Sequence, residues 1–236
     1  VNVKNTWHPV DGHPEIFYGH YIVPNFMSNS IAVQVAEHEW LLISPGEPML
    51  KDWQERFAKP DTKISIIFPN HYHHLGVNAW LEHYPDAALY ASQRAVDALI
   101  GKGFAHVTDL EYEQPALPVG YSVLIPPGHR GGDVWLAKQD AAQGSVWITC
   151  DSFMNYARLS NQPVARILQR AMKTAPGLKI SHLVKYLLID DKREFKRWAL
   201  KQVEHDQPKT MIPSHGVVEQ DEDLPQRLRM LLEERM

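Results

Sequence analysis

Three histidines fall within four residues, His71, His73 and His74, directly after an isoleucine-rich run from Lys63 to Phe68 that prolines bracket at Pro60 and Pro69. β-Branched residues packed between proline breaks read as a short strand buried in a sheet. Beyond the histidines, Val77, Trp80, Leu81 and Tyr84 recur at i, i+3, i+4 and i+7, so the strand feeds an amphipathic helix. Polar side chains at the carboxyl end of a buried strand project from a rigid support into a crevice, which is where α/β folds place ligands. A His-x-His pair in loop or extended backbone can aim two imidazoles at one ion, and imidazole is a common zinc ligand.

The same alternation runs along the rest of the chain. Strands are predicted at Ile31 to Ala36, Trp40 to Ser44, Lys63 to Phe68 and Ala87 to Tyr90, then at Tyr121 to Ile125, Asp133 to Ala137, Ser145 to Thr149 and Thr210 to Ile212. Helical stripes lie between and after them. Leu50, Trp53 and Phe57 form one, and Ser92 to Gly101 forms another with Ser92 as N-cap and Gly101 as its C-terminal glycine. Later come Val164, Ile167, Leu168, Ala171 and Met172; Phe195, Trp198, Ala199 and Val203, opened by an Asp191-x-x-Glu194 capping pattern; and Leu224, Leu228, Leu231 and Leu232. Two successive groups of strands followed by helices predict two packed sheets with helices outside, a four-layer αββα sandwich, ahead of a doubly wound parallel sheet. No repeat or low-complexity tract divides residues 1–236, so a single domain is expected.

Composition narrows the partners. Hydrophobic residues at 44% and charged residues at 22% are the balance of a chain that buries a core. A formal net charge of −4 gives no basic footprint for nucleic acid. No apolar window is long enough to span a bilayer, and the N-terminal stretch lacks the layout of a secretory signal. The single cysteine, Cys150, cannot form an intrachain disulfide, which fits a cytoplasmic location. A small-molecule substrate is expected, with neither nucleic acid nor membrane as partner.

Further polar residues stand just past predicted strands: His129 in Pro127-Gly-His-Arg-Gly-Gly132, Asp151 after Ser145 to Thr149, and His215 in Ser214-His-Gly216. Singly, each reads as a turn or cap residue. Taken in order, His71-x-His73, Gly128-His129, Asp151 and His215-Gly216 resemble the metal-ligand series of the metallo-β-lactamase-like hydrolases, which include glyoxalase II and many lactonases. The resemblance covers most of the chain. Leu42-Ile-Ser-Pro-Gly46 is similar to that family's early strand ending in an Asp-x-Gly turn, and Val146-Trp-Ile-Thr-Cys-Asp151 to its strand ending in Gly-Asp.

The resemblance implies that His71, His73 and His129 hold one metal, that Asp151 bridges to a second and that His215 belongs to the second. The departures concern the chemistry. Read without gaps, the Asp and third His of the family's His-x-His-x-Asp-His signature become Leu75 and Gly76; with a two-residue deletion, His74-Leu-Gly76 resembles its His-x-Gly. Ser44 stands at the early Asp, and Cys150 at the Gly before the bridging Asp. What the resemblance leaves is a three-histidine site like catalytic zinc sites with an open fourth position, and a weaker second site of His74, Asp151 and His215, so one zinc is expected rather than two. The implied activity is metal-dependent hydrolysis, hydroxide at the zinc attacking an ester, lactone, thioester or amide, with Asp151 as general base or orienter. A non-catalytic relative that binds a small ligand or a partner is the alternative, and an iron redox member ranks third. Cys150 reads as a small core residue, His182 as half-buried, and Arg130, Tyr156 and Arg158 as surface residues.

Overall fold

The computed structural model describes residues 4–23 and 26–236, so the first three residues of the N-terminal stretch lie outside the described residues. The chain forms two compact units, Val1–Val119 and Gly120–Met236.

Among the described residues, the first unit carries a seven-stranded sheet whose order follows the chain: β1 (His8–Val10), β2 (His13–Val23), β3 (Phe26–Ala36), β4 (Glu39–Ile43), β5 (Lys63–Ile67), β6 (Ala88–Ala91) and β7 (Val107–Asp109). Strands β1 to β4 pair antiparallel, and β4 to β7 pair parallel. Parallel neighbours need crossovers, which α1 (Leu50–Arg56), α2 (Val77–His83) and α3 (Gln93–Ile100) supply in turn. The helices bury Trp53, Trp80 and Leu99 against Trp40, Leu42, Ile64 and Ile66 of the sheet. Trp53 is the hub, edge-on to Trp7, Trp40 and Trp80 at ring-centre distances of 5.8, 5.1 and 5.4 Å.

The hairpin of β1 and β2 and the first half of β3 escape the sequence pattern because polar residues occupy buried positions there: His13, Ser28, Asn29 and Ser30. Ser30 shows why they are tolerated, its Oγ donating to the Ser44 carbonyl at 3.0 Å and accepting the Gly46 amide at 2.8 Å. At α3 the expected N-cap position holds and the expected C-terminal glycine does not take the left-handed conformation. Ser92 holds the N-cap position without a side-chain cap bond, and Gly101 stays helical at φ −61°, while the left-handed residue is Gly103 at φ 95°.

The second unit carries β8 (Tyr121–Leu124), β9 (Trp135–Lys138), β10 (Ser145–Ile148), β11 (Met154–Tyr156), β12 (Gly177–Lys179), β13 (Pro208–Ile212) and β14 (Glu219–Gln220). Its five-stranded sheet runs β14-β13-β10-β9-β8, with β10 and β13 parallel and the other pairs antiparallel; β11 and β12 pair separately. The helices are α4 (Pro163–Met172), a π-helical turn at Val184–Leu188, α5 (Lys192–Asp206) and α6 (Leu224–Arg235). Phe195, Ala199 and Val203 of α5 and Leu224, Leu228 and Leu232 of α6 close the core over Trp135, Trp147 and Met211. Asp191 caps α5 as its pattern predicts, one carboxylate oxygen accepting the amides of Arg193 and Glu194 at 3.0 and 2.9 Å.

One expectation changes here. Asp133 precedes β9 rather than opening it. The apolar stripe of α4 does form a helix face, but no residue of α4 is buried. No helix among the described residues is long and apolar enough to cross a membrane.

Candidate metal centre

In the first unit the chain leaves β5 through buried Phe68, Pro69 and Asn70 and turns at His71 to Gly76. Asn70 builds the turn, its side-chain oxygen accepting the Tyr72 amide at 2.8 Å and its carbonyl accepting the His73 amide at 3.3 Å. Ser44, left-handed at φ 51° just past β4, bonds through Oγ to His73 Nδ1 at 2.8 Å. A ring oriented through Nδ1 presents Nε2 as its ligand atom. Lys102 donates to the His71 carbonyl at 2.6 Å, and burial followed by the charge of Lys102 lowers the His74 pKa below the ordinary histidine value.

Leu75, at the ungapped position of the signature aspartate, is 75% exposed. Gly76 is required by space: a Cβ there would meet the Pro45 carbonyl at 2.4 Å and the Glu47 amide at 2.6 Å. The turn therefore packs directly on the loop after β4, which leaves no room for a histidine at that position.

In the second unit, β10 and β13 lie side by side with Ile148 opposite Ile212. Asp151 and His215 each follow three residues later, and His215 Nε2 comes to 3.1 Å from Asp151 Oδ1 with both side chains largely buried. Parallel register is what makes these distant residues meet. Asn155 clamps the His215 loop: its amide donates to the His215 carbonyl at 3.0 Å, its carbonyl accepts the Val217 amide at 2.7 Å, and its side chain donates to Glu219 at 2.7 Å. Gly216, at φ 110°, passes so close that a Cβ would lie 2.0 Å from the Asn155 carbonyl oxygen.

His129 is wholly buried. Its backbone is pinned between Gly128, which accepts the Asp190 amide at 2.7 Å, and Arg130, whose amide donates to Leu188 at 2.7 Å. Its Nε2 stands 3.4 Å from Asp133 Oδ1 yet makes no hydrogen bond. Its Nδ1 receives the Asp133 amide at 3.4 Å, a distance long enough to orient the ring weakly. Asp133, also wholly buried, accepts from the Ser152 amide and hydroxyl at 3.1 and 2.7 Å. Ligand atoms of Asp133, Cys150 and Asp151 lie within 4.8 Å of one another.

Sequence reading missed Asp133. It carries no motif signal, and its four-residue spacing from His129 across the Gly131-Gly132 turn was the available clue. The other candidates sort plainly. Cys150 is wholly buried, and burial, then Asp133 and Asp151, push its thiol pKa well up. Tyr156 is half-buried, its phenol pushed up to about 12 by burial and then by Asp151. Arg130 is exposed and ion-paired with Asp190, and Arg158 is exposed. His182 is half-buried and bonds the Ala171 carbonyl at 3.1 Å. The large cleft of the first unit, about 690 Å³, borders the starting ends of β4 and β5 at Glu39 and Lys63, the ends opposite the histidine turn.

Buried carboxylates this close repel unless a proton or a cation lies between them, and a buried imidazole nitrogen without a hydrogen bond is an atom a cation satisfies. Imidazole and carboxylate together fit zinc.

No protein-family model matches the sequence, and no curated protein matches it. Solved structures do. The metallo-β-lactamase FIM-1 from Pseudomonas aeruginosa in its mono-zinc form is 16% identical and superposes with a TM-score of 0.63 over 99% of this chain and 96% of its own. A metallo-β-lactamase from Pontibacter korlensis is 12% identical, with a TM-score of 0.61 over 97% and 99%. The metal-soaked Flv1 flavodiiron core from Synechocystis sp. PCC6803 is 13% identical, with a TM-score of 0.66 over 97% of this chain and 61% of its own. From end to end, the chain has the metallo-β-lactamase-like α/β fold that its ordered polar residues lead one to expect.

Proposed function

We propose that this protein is a metal-dependent hydrolase acting on an ester, lactone, thioester or amide, and that its ion is a single zinc. The observation that carries the reading is the second unit's cluster, in which Asp151 meets His215 at 3.1 Å and Asp133 meets the buried His129 Nε2 at 3.4 Å. His71 and His73 enter the proposal from the ordered sequence series, supported by the Ser44 bond that orients the His73 ring.

Zinc held by His129, Asp151 and His215 of the second unit would supply Lewis acidity, polarising a carbonyl and acidifying water. The chain's own residues do the rest. Asp151, hydrogen-bonding distance from His215, accepts the proton of the attacking water. Asp133 stands with a carboxylate oxygen 3.4 Å from His129 Nε2 and is itself held by Ser152. Tyr156 keeps its phenolic proton across the physiological range and is available to donate to a substrate oxygen.

The flavodiiron likeness keeps an iron reading in view, and metal identity decides it. Protein purified without added metal is expected to hold about one zinc per chain by elemental analysis. Asp151→Asn and the His71→Ala/His73→Ala double variant are expected to lose the metal together with turnover of generic esters, lactones, thioesters or amides. A chain that stays metal-free in zinc-containing buffer removes the hydrolase reading and leaves the binding protein.

A further inference from the structure

From Ser152 to Ile189 the chain has six basic residues, Arg158, Arg166, Arg170, Lys173, Lys179 and Lys185, and no acidic residue, in a protein whose net charge is −4. That stretch also holds a run of exposed apolar side chains close together in the chain. Val164, Ile167 and Leu168 of α4 are 76%, 67% and 60% exposed, and Tyr186 and Leu187 of the π-helical turn are 58% and 56% exposed. The His182 ring joins the two, bonding the carbonyl of Ala171 in α4 at 3.1 Å while stacking obliquely on Tyr186 at 5.5 Å. An amphipathic helix whose apolar stripe faces water, with Arg166 and Arg170 on its polar side, has no covering partner among the described residues.

We propose that α4 and the Val184–Leu188 turn dock this protein on a membrane surface rich in anionic phospholipid headgroups. Basic residues beside Val, Ile and Leu match the interfacial layout, in which the apolar stripe enters the headgroup boundary and Lys and Arg meet lipid phosphates. The sign of the charge disfavours a second copy, because a two-fold contact through this face would set the same cations against each other. A peptide ligand is disfavoured by shape: α4 buries no side chain, so its apolar residues project rather than line a trough. This departs from the sequence-based expectation of no membrane partner, which rested on the lack of a window long enough to span a bilayer; a peripheral contact needs none.

Sedimentation with vesicles tests the proposal. The full chain is expected to pellet with phosphatidylcholine vesicles containing about one-third phosphatidylglycerol at low salt, to be released as salt rises, and to ignore pure phosphatidylcholine. Arg166→Gln/Arg170→Gln is expected to weaken partitioning roughly thirtyfold, at about 1 kcal/mol per charge near the surface. Ile167→Glu/Leu168→Glu is expected to abolish it while circular dichroism and melting stay unchanged, since both residues are exposed. Failure to pellet with the anionic vesicles overturns the proposal, as does pelleting that Ile167→Glu/Leu168→Glu leaves intact. A dimer in light scattering that the same variant dissociates, or saturable binding of an acidic leucine-rich peptide in place of vesicles, assigns the face to protein contacts and equally overturns it.

Discussion

Asp140 sits in the connection between β9 and β10, where its carboxylate accepts the amides of Ala142 and Gln143 at 3.0 and 2.9 Å and pairs with Lys138 at 3.0 Å. The Gln143 amide, then Lys138, hold its pKa at about 2, below the usual 3.8. The folded state therefore binds its proton less readily than the unfolded state. The resulting stabilisation is complete above the unfolded value and is lost as pH falls from about 4 toward about 2. Asp140→Asn is expected to melt below the parent at neutral pH, with the gap closing through that window. A gap that persists unchanged at pH 2 would show that the side chain's ionisation is not what stabilises the turn. Asp133 is the harder residue to read. Its apolar neighbours Val134 to Ala137 read as a strand that it opens, and only the Gly131-Gly132 turn before it hints that it folds back beside His129.

Among the elements, the β13 exit determines whether His215 reaches Asp151. Its path depends on Gly216 at φ 110° and on the bonds that Asn155 makes to the same loop. Gly216→Ala combines a conformation that L-residues avoid with a clash against backbone, and is expected to cost about 2 kcal/mol or more in urea unfolding. It should also lower metal affinity, because the histidine next to it must shift. A stability loss under about 0.5 kcal/mol would mean that the loop relaxes easily and is no template for the site. Periodicity found the helices of both units and every strand with an unbroken apolar run. It missed β1, β2 and the start of β3, where buried His, Ser and Asn residues interrupt the alternation and Ser30 is satisfied by the Ser44 carbonyl, and it missed the short strands β7, β11, β12 and β14. It found the α4 stripe but not its exposure, since an apolar helix face looks the same in sequence whether the protein or something outside it provides the covering.

At the scale of the whole molecule, each unit closes its own tryptophan-rich core, and the proposed ion adds a stabilisation that folding alone does not supply. Zinc held only by the folded state raises stability by mass action, about 2.7 kcal/mol at a free concentration a hundred times the dissociation constant. For a chain of this size that is roughly a 5–10 °C rise in melting temperature. The rise should appear with zinc, be absent with magnesium and be reversed by a chelator; equal melting curves in all three conditions would sink the metal proposal. The amino-acid sequence determined the order of strands and helices and the placing of His71, His73, His129, Asp151 and His215 just beyond apolar runs, because hydrophobic period and strand-end position are local properties. Tertiary structure alone decided that Asp151 and His215 meet, that Asp133 is sealed beside His129 and that α4 faces water. The meeting of Asp151 with His215 depends on register between segments tens of residues apart, the sealing of Asp133 on its bonds from Ser152, and the exposure of α4 on what the rest of the chain leaves uncovered, and no local pattern encodes these.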